Sequence, residues 1–463
     1  MASIKKMISK LTTSEKREAV PEQSSFRVIP PPKPDMSETP PRFLIIGAGS
    51  RGRNYAEAID SVTNGVVAAV AEPLKFKRET LGRRHIWGDG EPGEGQSFLD
   101  WRDFLKYEQD RRRRAAAGEE NVPEGVDGAF VCVLDEMHRE VVVGLAPLGL
   151  HIMCEKPLAC SLRDCLDMYK ALRPSRASKV FSIGHVLRYS PHNMMLRRLL
   201  LEERVIGDIL SVVHTEPENL TSPETVSSSG SLQFFKKSRK PKAAGDATNC
   251  TKCPLGDEGC KFSAKNIYLG PKLNGLGAGN TRWPISVVVH DIEDYPSRIA
   301  KEEVLTQALE DDYDESTPES EVKSRNWFGR CVFEADNDVC DDQRYSNIYG
   351  EHGEIYADSA KIVVEDFNTG KTHTYRPGIE DHGHGGGDLG LTRQFVMACD
   401  RVKNHGWEAP RAQDEFIGCT LDEVLRSHAM VFAAEEARLG RKVLDWEQWW
   451  KQAVGEQLDS REA

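Results

Sequence analysis

Between residues 43 and 184 the chain alternates short, almost wholly apolar runs with stretches whose apolar positions recur at helical spacing. The runs at 43–47, 66–71, 128–134, 150–154 and 180–184 read as strands buried on both faces, with helices between them. Strands alternating with helices close most simply into a parallel sheet covered on both sides. Elsewhere the rhythm breaks. Residues 1–41 hold Pro21, Pro30, Pro31, Pro32, Pro34, Pro40 and Pro41 and no apolar period, so a disordered leader is expected. Residues 106–124 carry Arg111, Arg112, Arg113 and Arg114, which read as a solvated helical insertion, with a docking patch as the alternative. Residues 310–321 hold seven acids and no base and read as a solvated loop, whereas 412–439 and 446–454 have the pattern of amphipathic helices.

Where the first run ends, Gly47-Ala48-Gly49-Ser50-Arg51-Gly52 makes a Gly-x-Gly-x-x-Gly turn that leads into a helical pattern. In such a turn Gly47 lets the chain reverse, Gly49 lets backbone approach a pyrophosphate, and Gly52 lets the helix pack on the strand. Free N–H groups at the helix start then face the anion. Gly47, Gly49, Ser50, Arg51 and Gly52 are therefore the expected cofactor contacts. The second run ends in Glu72, 20 positions past Gly52 (52 to 72), where a carboxylate accepts hydrogen bonds from ribose hydroxyls and repels a 2′-phosphate. NAD is expected ahead of NADP, and the nearby Lys75 and Arg78 keep NADP as the second reading. The bland alternative is a glycine turn that binds no nucleotide.

Two further strand ends carry candidates. After residues 129–134 come Asp135 and, opening a helix, His138; they either line the nicotinamide half of the crevice or are an N-cap aspartate and a surface histidine. After the next strand comes Glu155-Lys156-Pro157. A lysine between a buried strand and a proline must send its ammonium to water or a ligand, and Pro157 favours a cis bond that would aim it.

Composition narrows the class. The 463 residues suffice for two or three domains, and 61 basic against 73 acidic residues, net −12, argue against nucleic acid or an anionic membrane as partner. No apolar run approaches a membrane span, and the eleven cysteines are an odd number scattered in apolar segments, which suits a reducing, cytoplasmic setting.

The glycine turn, Glu72, Glu155-Lys156-Pro157 and the segment from Gly184 through Arg188 and Tyr189 to Pro191 together resemble the Gfo/Idh/MocA family of dinucleotide-dependent oxidoreductases. The resemblance spans residues 43–215. It implies an α/β Rossmann domain over 42–185, then an α+β domain over 186–400 with a mostly antiparallel sheet and the substrate site. Helices over 401–463 would pack on the Rossmann domain. Glu155, Lys156 and Arg188 would face the cofactor. Lys156 would also orient substrate, with Arg188 and Tyr189 beside the nicotinamide.

Cys250-Thr251-Lys252-Cys253 with Cys260, residues 326–331, and His384-Gly385-Gly386-Gly387-Asp388 resemble one branch of that family. Two stretches fall short of it. Residues 216–230 hold two prolines and no histidine where a helix would bear the catalytic histidine, and residues 339–348 lack two expected strands. A shortened second domain follows, and the acid/base role passes to His214, His290 or His384. His290, behind the β-branched residues 287–289, reads as a strand end. His384 is carried forward as a catalytic and substrate contact, with Tyr189. The glycines beside it would let backbone approach a ligand, and Asp388 is either an N-cap or a substrate contact. The C-x2-C-x6-C spacing lacks a fourth ligand, so reduced thiols are expected rather than zinc.

The function expected from all this is hydride transfer between NAD(P) and a secondary alcohol or carbonyl on a sugar-like or other polar cyclic small molecule, and a homo-oligomer is compatible with it. The alternatives are a redox-neutral isomerase, lyase or glycosidase-like enzyme that keeps its NAD, and a non-catalytic dinucleotide-binding protein.

Overall fold

The computed structural model describes residues 32–213, 225–228, 232, 234–256, 259–335, 346–358, 361–377 and 383–459. Most of the expected leader, His214, and most of both stretches that fall short of the family pattern lie outside them. Contacts divide the chain into two compact units. One comprises Pro32–His185, Pro217–Gln343 and Leu391–Ala463, the other Val186–Glu216 and Arg344–Gly390.

The first unit is built on six parallel strands: β1 (Arg42–Ile46), β2 (Val66–Ala71), β3 (Ser97–Phe98), β4 (Gly128–Val131), β5 (His151–Cys154) and β6 (Phe181–Ile183). Their order is β3-β2-β1-β4-β5-β6, so the strand order reverses between β1 and β4, where α/β sheets bind ligands. The helices between them are α1 (Ser50–Val62), α2 (Lys75–His85), α3 (Trp101–Ala116), α4 (His138–Leu145) and α5 (Leu162–Leu172). β1 is central, and its apolar residues Phe43, Leu44, Ile45 and Ile46 are all buried, as a strand covered on both faces requires. Phe43 and Phe130 meet edge to face at 5.4 Å, and Phe395, from α6 (Gly387–Asn404), closes on Phe130 at 5.2 Å.

Several expectations need correction. The run at 128–134 leaves the sheet at Val131 and turns into a short 3-10 segment, Asp135–Met137, while two-residue β3 carries too short a pattern to be read. The arginine stretch is helical but not simply solvated, because Arg111 and Arg112 both bond the buried Glu108 carboxylate, at 2.6 and 2.7 Å. Burial pushes that carboxyl's pKa up, but the two guanidiniums outweigh it and hold Glu108 below the usual carboxylate range. Residues 287–289 are no strand: Ile285–Val288 forms a helical turn, since Ile285, Val289 and Ile292 recur at helical spacing and enter one core with Leu305 and Leu309. The loop at 310–321 ends in a short helix, Glu319–Ser324. The stretch at 412–439 is broken by a wide turn, Gln413–Ile417, before α7 (Leu421–Gly440) starts on a Thr420/Glu423 capping box. In the same unit, α7 bonds α5 through Asp422 and the Tyr169 hydroxyl.

The second unit is a five-stranded antiparallel sheet of β7 (Ile209–Val213), β8 (Ser346–Gly350), β9 (Gly353–Ala357), β10 (Ile362–Asp366) and β11 (Lys371–Tyr375) in the order β11-β10-β9-β8-β7. β7 pairs directly with β8. Ile348, Ile355, Ile362 and Val364 point to one face and pack with Leu199 and Ile206, whereas Leu210 and Tyr349 are exposed. The chain therefore combines a doubly wound α/β sheet with an antiparallel sheet, as its sequence implies.

Candidate functional site

The crevice ends of β1, β2, β4 and β5 bring the sequence motifs of the first unit together. Gly47 has φ +89° and donates its N–H to Ala71 O at 2.9 Å; a Cβ there would sit 2.5 Å from Cys132 O. At Gly52 a Cβ would lie 1.9 Å from Gly47 O, so that helix and turn touch only because Gly52 lacks a side chain. Nothing lies within 4 Å of where a Cβ on Gly49 would be. That open space borders the N-terminus of α1, whose N-cap Gly49 offers no side-chain hydrogen bond and whose first turn holds no acid. These helix N–H groups are thus available to an anion. Ser50 is exposed at the same end.

Glu72 is buried at the end of β2, with Oε2 accepting from Ala48 N–H at 2.8 Å and Oε1 from Leu74 N–H at 2.9 Å. Each carboxylate oxygen can accept further bonds, so ribose hydroxyls can still be held. Arg78 bonds Glu72 O at 2.6 Å and Pro73 O at 3.2 Å, whereas Lys75 points toward Glu79 at 3.8 Å. An uncapped helix end, clear space over the second glycine and a fixed carboxylate at the next strand end fit an adenine dinucleotide.

Arg51 and Glu155 were expected as cofactor contacts, but they hold each other. Arg51 Nε bonds Glu155 Oε1 at 2.7 Å and its NH2 bonds the Tyr55 hydroxyl at 2.6 Å; that hydroxyl in turn donates to Glu155. Burial first, then the Glu155 charge, push the Tyr55 pKa well above its ordinary value, so it stays a proton donor. Sequence reasoning missed Tyr55, although its spacing of four from Arg51 on a helix was a usable signal.

Lys156 is exposed, the Lys156–Pro157 peptide is cis, and the Lys156 N–H donates to Glu155 Oε2 at 3.1 Å. His138 is no surface histidine. It is fully buried, with Nδ1 2.8 Å from Pro157 O and no hydrogen-bond partner at Nε2. Nor does Asp135 cap α4, whose N-cap is Met137 without a side-chain bond; Asp135 is exposed on the preceding turn. His428, on α7, was also missed. Its Nε2 accepts the Leu158 N–H at 2.8 Å across 270 residues of sequence, a separation that no local motif reveals.

His290 is exposed, and its backbone carbonyl takes the Lys77 ammonium at 2.6 Å. Because Lys77 lies on α2, just past Glu72, this sets His290 at the adenosine end of the expected site rather than at the nicotinamide. Among the described residues no three His, Cys, Asp or Glu side chains stand ready to hold a metal, and no helix is long and apolar enough to cross a membrane.

In the second unit Arg188 and Tyr189 lie on one turn, Val186–Tyr189, with Tyr189 buried. Of the glycines after His384, Gly387 and Gly390 serve backbone packing, since a Cβ on Gly387 would meet Val186 O at 2.3 Å and one on Gly390 would meet Tyr189 O at 2.4 Å, whereas a Cβ on Gly385 would have nothing within 4 Å. His384 Nδ1 lies 3.1 Å from Oδ1 of the buried Asp388, which orients the imidazole.

Residues 41–185 match the family described as "Oxidoreductase family, NAD-binding Rossmann fold". The 2,7-anhydro-N-acetylneuraminate hydratase of Escherichia coli (strain K12) is 38% identical over 91 residues, 20% of this chain and 23% of that protein. The inositol 2-dehydrogenase of Corynebacterium glutamicum (strain R) is 25% identical over 199 residues, 42% of this chain and 52% of that one. The matches thus span about a quarter to a half of these relatives. A solved inositol dehydrogenase homolog complexed with NAD+ from Azotobacter vinelandii superposes with a TM-score of 0.49 at 13% identity, covering 88% of this chain and 98% of the other.

Proposed function

Because residues 41–185 belong to the Gfo/Idh/MocA family of NAD-binding oxidoreductases, we propose that the whole protein is an NAD-dependent dehydrogenase acting on a secondary alcohol or carbonyl of a sugar-like or other polar cyclic substrate. The observation that carries this reading is the open, uncapped start of α1 beside the Glu72 carboxylate. NAD, when bound, supplies the hydride acceptor or donor. The chain's own residues bind and orient. The α1 N-terminus takes the pyrophosphate, Glu72 takes the adenosine ribose and disfavours a 2′-phosphate, and Lys156 stabilises negative charge developing on the reacting oxygen. In the second unit the oriented His384 is the candidate acid/base.

Two substitutions test the assignment on a panel of polyols and cyclic sugars, read by nicotinamide absorbance. Lys156→Ala is expected to lower kcat by roughly 10²- to 10³-fold with NAD affinity nearly unchanged; an unaltered rate removes the lysine from the mechanism. His384→Asn is expected to cost roughly 10²-fold or more in kcat; full activity would end the histidine's candidacy.

The match to a hydratase favours one second reading, a redox-neutral reaction in which NAD is retained. Product formation without net change in nicotinamide absorbance would select it.

A further inference from the structure

We propose that His138 and His428 are positioning residues for Lys156: two buried imidazoles that hold the backbone at Pro157 and Leu158 and so aim the lysine. The functional weight of the proposal rests on the role given to Lys156 above.

A lysine side chain is a point charge on a flexible four-carbon stem, and that of Lys156 is exposed. Packing therefore does not aim it, and its direction follows from its own backbone. That backbone has left the sheet, which ends at Cys154, so its polar groups need partners other than a strand. Side chains supply three in a row. Lys156 N–H donates to Glu155 Oε2 at 3.1 Å, Pro157 O accepts from His138 Nδ1 at 2.8 Å, and Leu158 N–H donates to His428 Nε2 at 2.8 Å. The three clamping groups come from β5's end, α4 and α7.

Hydrogen-bond direction fixes the tautomers. A carbonyl can only accept, so His138 carries its proton on Nδ1. A backbone N–H can only donate, so His428 Nε2 must be bare and its proton sits on Nδ1, where it reaches Val424 O at 2.8 Å. The His428 ring stacks on His185 at 5.5 Å, and Leu158 is fully buried, so water is a poor substitute for the lost acceptor. His428 thus satisfies a buried donor two residues from Lys156.

The test uses the full chain and three variants. His428→Leu removes the acceptor, His428→Gln restores one near the Nε2 position, and His428→Asn is polar but too short to reach Leu158. Trace labelling with an amine-reactive ester, resolved by peptide mass spectrometry, gives the reactivity of Lys156 relative to exposed Lys75. The Leu and Asn variants are expected to shift that ratio by about threefold or more, and Gln to return it toward wild type. In turnover, Leu and Asn are expected to lower kcat by about tenfold or more with the NAD KM held. If His428→Leu fails to fold, the contrast between Asn and Gln carries the test. An unchanged labelling ratio in folded Leu or Asn protein overturns the proposal. A shifted ratio with kcat untouched, in these variants and in Lys156→Ala, supports the clamp and overturns the catalytic role of Lys156 instead.

Discussion

Glu155 sits buried where β5 ends, yet it faces three donors at once: Arg51 Nε, the Tyr55 hydroxyl and the Lys156 N–H. A buried carboxylate survives only with such partners, since each missing one leaves a charge without compensation. Gly184 is part of the same fit, for a Cβ there would come 2.7 Å from Glu155 Oε2. Tyr55→Phe deletes that donor and, with it, the hydroxyl that accepts from the Arg51 guanidinium, and is expected to destabilise the protein by roughly 1.5–3 kcal/mol in urea unfolding, the range for a hydrogen bond to a charged group. No change in the midpoint would mean that the hydroxyl does not hold the carboxylate. At this scale the sequence named Glu155 and Arg51 but not the bond between them. A motif identifies which residues reach the crevice, whereas whether they meet a ligand or each other depends on side-chain geometry that spacing does not encode.

The turn from β1 into α1 stands or falls on contact between Gly52 and the Gly47 carbonyl. Gly52→Ala would force a methyl to 1.9 Å from that backbone oxygen, and backbone cannot swing aside as a side chain can. The helix start must shift, so the variant is expected to lose NAD affinity by about tenfold or more, measured by calorimetry. Gly49→Ala has free space at its Cβ, so its loss should appear mainly as a steric clash with bound cofactor and leave stability nearly unchanged. Elements with a strong pattern were legible. β1, β2, β4, β5 and β6 follow almost wholly apolar runs, because a strand covered on both faces has no polar side to set up an alternation. Weak or double-edged patterns were not. Ser97–Phe98 is too short to show a period, and residues 285–289 are rich in β-branched residues yet turn as a helix because Ile285, Val289 and Ile292 are drawn into one core. For His138 the sequence left crevice and surface both open, since a polar residue at a helix start is usually exposed. Only the proximity of the Pro157 carbonyl, 19 positions away, explains its burial.

For the molecule as a whole, stability should depend on keeping buried imidazoles neutral. His151 accepts the Val180 N–H at 2.9 Å, and burial, helped by the Lys179 charge, pushes its pKa down from 6.5 to about 3. Burial lowers that of His428 too, with the Val424 carbonyl opposing. Both groups bind protons more readily unfolded than folded, so their contribution is complete above the unfolded pKa and is lost as pH falls from there toward the folded value. His151 should cost about 1.4 kcal/mol per pH unit in that window, and His428 adds a loss in the same direction. Urea midpoints are therefore expected to fall between about pH 6.5 and 5, before most carboxylates protonate. A flat profile there would contradict neutral, buried histidines. The same unit holds the proposed cofactor cradle, so fold and binding can be followed on one sample. The most direct measurement is calorimetric titration of folded, full-length, cofactor-free protein with NAD and, separately, with NADP. Saturable heat from NAD, with weaker binding of NADP because Glu72 repels its 2′-phosphate, is the expected result. No heat from either nucleotide would contradict the assignment of the glycine turn, of Glu72, and with them of the function.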